Sequence, residues 1–583
     1  MTARGIDPRR TQIGRNVIFR VGDPTLVQDL VRCGAHRASA IISMMTEPDR
    51  EEEDNSDLQI FNGATMRTGL ALRHVLFKHR FSSKEVINPD LRVLLQMTTP
   101  STFIDTLCFK HKKGDEVILP IDMSVFLNSL MFQCAIQPGL ARVIMSILDF
   151  EGFAIRRRKA KNMKSGPLHA AGACVGRTFA AMSTQFTKAI FIGIVRPSNQ
   201  GAPAGKLREA GWGFCPDGNH VIESEDMLVF IGPKSSPECD PEMVNATEAY
   251  VSAAKDMQPR LPLCKNPSKT LSHVLICGWR PVWQDNPERL YLRILDIAKS
   301  NLPGSSLTFI NFVAEEEFTL LMGRVGCTRG EDERVTDTTG EGEVTLGVYS
   351  FVDADYKGIT IRHMSGDAAS PDSLEPLLME RDFETAIVFG TQASIRLAPR
   401  SQDTRVLSIM LLLRKLSLTK DLARPANQRN NIHVVGENQE DATSELALGP
   451  AQLIASAEAT YGGSQYNEPD FINTQAVYAR AMVQTLAYPK IRTAIEDLFD
   501  EDLFAPSIQI MHAYAYVPTT GAEEVSFGVV SASCHHDPGF RTIAIGFIDS
   551  ADNNKVHMCP SHAQKHRWLK NDKIITMRRA LSK

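Results

Sequence analysis

Eleven cysteines occur in 583 residues, yet no two stand as a CxxC pair. The chain therefore lacks the pattern of a secreted disulfide scaffold and reads as carrying reduced thiols in an intracellular compartment. No run approaches the roughly 18 apolar residues that a membrane-spanning helix needs. The N-terminal MTARGIDPRRTQIGRN is basic but has no apolar centre, which excludes a secretory signal. Charge of one sign is also missing: 64 Lys and Arg face 68 Asp and Glu, for a net charge of −4. No global field would draw in nucleic acid or an anionic membrane. There is no P-loop, no HExxH and no Ser-His-Asp pattern, so catalysis has no candidate residues.

What is present is a soluble-type composition, 43% hydrophobic and 23% charged, in a chain too long for one core. Ser272–Pro281, SHVLICGWRP, is a short apolar run ending in a glycine turn, with a helical pattern over Pro287–Ser300. Strand, turn and helix in that order open a dinucleotide-type fold. Val274–Cys277, Leu307–Val313, Thr360–His363 and Ala386–Phe389 read as strands, and Asp403–Leu416 reads as a strong helix. In the first half Ala40–Met45 and Leu91–Met97 read as strands and Thr65–Phe77 as a helix. Ile121–Leu148 is helical, with a break at Pro138-Gly139. Gly326–Val344 is expected to be a disordered loop and Asn427–Asp441 to be mobile, both from their polarity.

The two halves match in type and order. Ile18–Asp23, a helix and Ala40-Ile41-Ile42 parallel Ile361–Asp367, a helix and Ala386-Ile387-Val388. Late in each half come Cys215-Pro216 and Cys559-Pro560, then Asp226-Met227 and Asp572-Lys573. Such ordered matches indicate an internal duplication. The first half begins about where a third strand would lie, as though its opening β-α-β were missing. The expected fold class is α/β: two tandem Rossmann-like modules with parallel sheets, each followed by a smaller α+β lobe. The expected boundaries are 1–153 and 154–233 for the first module and lobe and 234–270 for a linker. The second module then takes 271–420, and 421–583 a polar loop, amphipathic helices and the second lobe.

Four stretches resemble the CASTOR/POLLUX family of ion channels: Ala38–Ile42 within ASAIIS, Phe132–Phe153 with its QPGLA, Ile276–Arg280 (ICGWR) and Asp403–Arg414 (DTRVLSIMLLLR). The resemblance covers nearly the whole chain. It implies a region that controls cation transport through a pore outside this sequence. By the same resemblance, tandem modules of the regulator-of-potassium-conductance type would assemble as a homo-oligomeric, tetrameric gating ring on the cytosolic side of a membrane. Thr68 and Leu70 stand where the second half has Asp403 and Arg405, so a ligand role at that place is not carried into the first half. A soluble interaction protein derived from such a channel is the alternative. An NAD-binding oxidoreductase is a further one, and it would require a glycine-rich turn and an acid or base in the cleft.

The candidate binding residues are Gly278, Asp367 and Asp23. Gly278 is the only glycine of its turn, and Trp279 beside it would obstruct a pyrophosphate, so the turn is expected to pack Trp279 between elements. Asp23 and Asp367 each follow a glycine at a strand end, where α/β sheets bind ligands. Calcium takes about six to eight oxygens, more than one Asp per half provides, and Asp is also a preferred helix N-cap. Cys534, His535, His536, His557, Cys559, His562 and His566 form a late cluster. His562 and His566 have the i, i+4 spacing of one helix face, but the rest follow no zinc spacing, and their lysine neighbours read as exposed surface. The basic run from Arg156 to Lys164 reads as a solvated linker face.

Overall fold

The computed structural model describes residues 20–44, 58–81, 91–97, 117–148, 154–165, 170–171, 174–186, 189–196, 213–232, 243–257, 272–280, 283, 290, 294, 303–336, 343–353, 358–390, 399–422, 424–425, 432–440, 443, 469–487, 505–537, 540–552 and 554–580. These fall into two compact units, Met1–Ser124 and Val125–Lys583. Among them no helix is long and apolar enough to cross a membrane.

The first unit holds three parallel strands, β1 (Ala40–Ser43), β2 (Arg92–Met97) and β3 (Ile118–Asp122), in the order β1-β2-β3. Short α1 (Val27–Arg32) precedes β1, and α2 (Leu58–Phe81) links β1 to β2. Leu72 and Leu76, a helical turn apart, pack on Val93, Leu95 and Ile118 to form its core. Of the stretch Asn16–Val21, expected from its apolar pattern to be extended, residues 16–19 lie outside the described residues, and Arg20 and Val21 are not in a strand.

The second unit begins within α3 (Met123–Ile136), followed by α4 (Leu140–Leu148), with the break at Pro138-Gly139. Gly139 has φ 91°, a conformation that glycine adopts without steric cost. A four-stranded antiparallel sheet follows, built from β4 (Ala154–Lys159), β7 (Ile190–Val195), β8 (Gly213–Phe214) and β9 (Met227–Gly232) in the order β4-β9-β7-β8. Two short strands, β5 (Lys164–Ser165) and β6 (Ala170–Ala171), pair beside it, and the one-turn α5 (Phe179–Met182) lies between β6 and β7. The first part of the basic run, Arg156–Lys159, is therefore on an edge strand rather than a linker. Lysines on an exposed edge discourage pairing with another chain, and Lys159 and Lys161 meet Glu225 at 3.1 and 2.5 Å. Within the expected linker, α6 (Met243–Met257) is helical.

The large sheet comes next. Its strands are β10 (His273–Cys277), β11 (Ser306–Asn311), β12 (Cys327–Arg329), β13 (Glu333–Thr336), β14 (Glu343–Phe351), β15 (Thr360–Ser365), β16 (Thr385–Val388), β17 (His433–Asn438) and β18 (Asp470–Asn473). Six are parallel in the spatial order β15-β11-β10-β16-β17-β18. Numbered by sequence this is 3-2-1-4-5-6, the doubly wound Rossmann order. Every residue of β11 and β17 is buried, as parallel strands covered on both faces require. Between strands lie α7 (Glu315–Arg324), α8 (Pro371–Glu380) and α9 (Pro399–Leu422). From α9, Val406, Ile409, Met410, Leu413 and Leu416 enter the core at helical spacing.

Two loop expectations are overturned here. Cys327–Arg329, Glu333–Thr336 and Glu343–Phe351 extend the sheet beyond β15 as antiparallel strands. They are anchored by Val335 and Leu346, which join the core beneath α8. His433–Asn438 is an interior strand: its polar residues find partners in the fold, as His433 does on the Cys134 carbonyl at 3.1 Å, so polarity did not signal exposure.

After β18 comes α10 (Thr474–Ala487), then β19 (Ser507–His512), β20 (Thr520–Ser526), α11 (Phe527–Cys534), β21 (Phe540–Asp549), β22 (Lys555–Met558), β23 (Lys565–Leu569) and β24 (Lys573–Ala580). The stretch Phe471–Phe504 is expected from its pattern to be helical and amphipathic; its first residues are strand β18, Thr474–Ala487 is helix, and residues 488–504 lie outside the described residues. The second small sheet runs β19-β24-β21-β22, strand for strand the order of the first, while β20 and β23 pair apart from it.

The duplication is visible at atomic level. A bulge between Phe191 and Gly193 matches one between Ala544 and Gly546. Asp226 accepts the Glu223 amide, and Asp572 accepts the Leu569 amide, each at 2.8 Å. Cys215 and Cys559 share a left-handed backbone, φ 48° and 47°, which non-glycine residues adopt at a cost. Each thiol crosses to the other sheet: Cys215 donates to the Met577 carbonyl at 3.3 Å and Cys559 to the Ile231 carbonyl at 3.4 Å. The two small sheets thus dock reciprocally, and burial pushes the Cys559 thiol up, keeping it a neutral donor.

Candidate functional site

In a doubly wound sheet the ligand crevice opens beyond the carboxyl ends of the two central strands, where the order reverses. Those strands are β10 and β16. Gly278 follows β10 with φ 99° and donates its amide to the Ile310 carbonyl at 2.9 Å. The next residue, Trp279, is fully buried, with ring centroids 5.0 Å from Trp283, 6.3 Å from Phe309 and 5.8 Å from Phe318. Trp283 packs edge-on against Phe389, beyond β16, at 5.3 Å. Phe132 of α3 lies 6.4 Å from both rings. Aromatic side chains therefore stand on the glycine turn. Most of Pro287–Ser300, the helix expected after it, lies outside the described residues.

Arg280 crosses this aromatic floor, its guanidinium 4.9 Å above Phe389 and 3.1 Å from Glu437 of β17. Glu437 also accepts the Gly390 amide at 3.3 Å. Two strands from β10, just after β15, Asp367 accepts the Ala369 amide at 2.8 Å and pairs with Arg405 of α9. Arg405 in turn lies 5.7 Å over the exposed ring of Phe312. Asp403, two residues earlier on α9, accepts the Gln439 and Glu440 amides and the Thr443 hydroxyl. It holds the loop after β17 and is buried. Burial pushes the Cys277 thiol, at the base of the crevice, up to about 12, against the pull of Arg405.

The polar atoms at this edge are mostly donors. Arg280 Nε and Nη2, Arg405 Nε and Asn311 Nδ2 are buried with no hydrogen-bond partner among the described residues, whereas the Glu437 and Asp367 carboxylates are already paired. Such an edge suits a ligand that brings acceptor oxygens better than a bare cation. Behind it, Asn311, His363, Glu315 and Tyr349 form a chain of hydrogen bonds of 3.1, 2.7 and 2.6 Å, in which Glu315 is partly exposed. Burial holds His363 below the ordinary imidazole range, with Glu315 opposing.

The sequence-predicted residues divide between the two units. Gly278 and Asp367 lie at the crevice edge of the second unit. Asp23 lies in the first, where it accepts the Thr25 amide at 2.8 Å and the Thr25 hydroxyl at 2.7 Å. Neither aspartate is a helix N-cap: Leu26 and Ser370 hold those positions. Both carboxylates close an Asx turn instead. Arg280, Phe312 and Glu437 were not singled out in the sequence; only ICGWR pointed toward Arg280. The late Cys/His cluster is not an exposed patch. His562 and Cys534 are buried, and His566 sits on a strand, so no helix face joins it to His562.

The QPGLA stretch ties the sheet to the second small sheet. Thr385 donates to the Ala135 carbonyl at 3.3 Å. The Gly139 amide donates to Asp470 at 2.7 Å. Gln137 donates to the Ile508 carbonyl at 3.2 Å and accepts the Ile510 amide at 2.8 Å, completing edge strand β19.

No family model matches the chain. Its curated homologues are ion channels, and the match is at family level. It is 22% identical over 575 residues to a probable ion channel POLLUX of Oryza sativa subsp. japonica, covering 97% of this chain and 50% of that protein. Against a probable ion channel CASTOR of the same organism it is 23% identical over 578 residues, covering 97% and 53%. The chain thus spans about half the length of the curated relatives it matches. Among solved structures, the human SLO3 gating ring superposes with a TM-score of 0.54 at 11% identity, covering 96% of this chain and 91% of that one. That likeness concerns the fold.

Proposed function

We propose that this chain is the regulatory, gating-ring-type region of a CASTOR/POLLUX-like cation channel, without enzymatic activity of its own. In this reading four copies form a ring beneath a pore, on the cytosolic face of a membrane. A ligand at the Gly278–Asp367 edge of the second module biases the ring's shape. The observation that carries the reading is the path of one short segment: Phe132 touches the crevice aromatics, while Gln137, five residues on, is hydrogen-bonded into β19 of the second lobe. A shift of Trp283 or Phe389 on ligand binding would be passed to that lobe through a rigid helix. Coupling of this kind needs a ligand that binds one arrangement better than the other.

The unpartnered donors of Arg280 and Arg405 favour an anionic ligand. Calcium would have to take Glu437 and Asp367 from their arginines. The test is calorimetry with sodium phosphate, a nucleoside triphosphate, NAD and calcium chloride, repeated on Arg405→Gln. The expected result is saturable binding of an anion that weakens at least about tenfold in the variant, the loss of a charge-assisted contact. Anion binding unchanged in Arg405→Gln, or calcium binding that needs Asp367 with no anion bound, would overturn the assignment.

A further inference from the structure

We propose that Asp549, His566 and Asp572 form a divalent-cation site of the first-row transition-metal type at one end of the second small sheet. One ligand atom from each lies within 4.8 Å of the others. Three strand ends converge there: Asp549 closes β21, His566 lies on β23 and Asp572 precedes β24. The site is independent of the crevice and of its ligand.

The argument comes from the duplication. In the first small sheet the buried carboxylate of Asp226 is met by a fixed cation: Arg196 Nε and Nη2 stand 3.0 and 3.2 Å from its two oxygens. In the second sheet Asp572 holds the same place, since each aspartate precedes its final strand and accepts an amide three residues back. The strand registers identify the counterpart of Arg196. Val195 lies opposite Met227, and Ile548 lies opposite Lys573. Arg196 and Asp549 are the residues that follow. Where the first sheet places a guanidinium against its buried carboxylate, the second places another carboxylate.

That exchange leaves two acids side by side, with His566 Nε2 3.1 Å from Asp572 Oδ2. Asp572 is fully buried while His566 is partly open to solvent, so an ion has an entry route. The remaining contacts orient the ligands. Ser550 donates its amide and hydroxyl to Asp572 Oδ1, and Leu569 donates to Oδ2. The Ala551 and Asp552 amides donate to Asp549 Oδ1. His566 is held between Phe547 and Trp568, at 4.9 and 4.7 Å. An ion here would take Nε2 in place of its hydrogen bond to Asp572, the ring proton moving to Nδ1. Two carboxylate oxygens and one imidazole suit Mn²⁺, Co²⁺ or Zn²⁺, with waters completing the shell. No thiol is involved.

Manganese is the discriminating probe, because it favours oxygen and imidazole over the chain's thiols. Electron paramagnetic resonance of free Mn²⁺, titrated with the full chain, is expected to show one ion taken up per chain. Asp549→Asn keeps an oxygen for the Ala551 and Asp552 amides, and His566→Gln keeps a donor toward Asp572. Each is expected to weaken binding at least about tenfold. Asp549→Arg rebuilds the arrangement of the first sheet. It is expected to abolish uptake while melting at or above the metal-free parent by circular dichroism. Uptake unchanged in Asp549→Asn and His566→Gln, or no uptake by the parent at about 1 mM, would overturn the proposal.

Discussion

Replacing Arg280 by methionine removes the guanidinium but keeps most of the stem that covers Phe389. It leaves Glu437, only 3% exposed, with the Gly390 amide as its remaining partner among the described contacts. Removing one member of a buried ion pair costs about 3–5 kcal/mol, and the lost contact over Phe389 adds up to about 2 kcal/mol. Arg280 is 15% exposed, so water re-entry should hold the loss near the lower figure, about 3 kcal/mol. Urea unfolding, followed by the fluorescence of Trp279 and Trp283, reads this as a lower midpoint at constant slope. The partner variant Glu437→Gln strands Arg280 instead and should lose a similar amount. The double variant should recover at least about 1 kcal/mol relative to the sum of the singles, the coupling expected of a buried contact. If the losses simply add, Arg280 and Glu437 do not act as a pair and the description of the crevice edge is wrong.

Three further outcomes follow from other contacts. Burial lowers His433 and His562 to about 4 from an ordinary 6.5, more than the Cys134 and Phe186 carbonyls raise them. Both imidazoles are therefore neutral when folded. The unfolded chain takes up protons first, so stability should fall from about pH 6.5 toward pH 4 and level off below. The loss is about 3 kcal/mol per group at most, and replacing either by Gln should flatten a thermal-denaturation profile over that window. Gly193→Ala and Gly546→Ala would place a Cβ 2.6 and 2.5 Å from the carbonyl oxygens of Gly213 and His557. Each should destabilise its sheet by about 1–3 kcal/mol, with similar values because the sites are duplicates. Gln137→Ala strips a carbonyl and an amide from β19, a loss of about 1–3 kcal/mol, with faster hydrogen exchange at Ile510.

The legible parts of the fold were those set by local pattern. The apolar runs at Val274–Cys277 and Ala386–Phe389 and the helix over Asp403–Leu416 carry their pattern in a few residues, and the breaks at Gly139 and Gly278 lie in positive-φ turns. The duplication was legible because Cys215 and Cys559, like Asp226 and Asp572, recur in order at places where backbone geometry admits few solutions. What escaped were elements whose character is set by distant partners. His433–Asn438 looks like loop until Cys134, Arg280 and Gly390 supply the contacts that let its polar atoms be buried. The strands from Cys327 to Phe351 exist because β15 offers an edge to pair with. Lysines beside His562 suggested exposure, yet that residue is sealed by Phe527 and by the Phe186 carbonyl, which precedes β7. At the crevice the sequence marked Gly278 and Asp367. The charges that meet there, Arg280 with Glu437 and Asp367 with Arg405, come from strands and helices far apart in the chain.

The central claim is that this chain is one subunit of a ring. Light scattering on the purified chain across a wide concentration range tests it most directly. The account predicts reversible growth from one chain of 64.5 kDa to an assembly of four. That assembly should be favoured by the anion that binds the crevice edge and weakened by Gln137→Ala. A strict monomer at every concentration, with or without that anion, would contradict it.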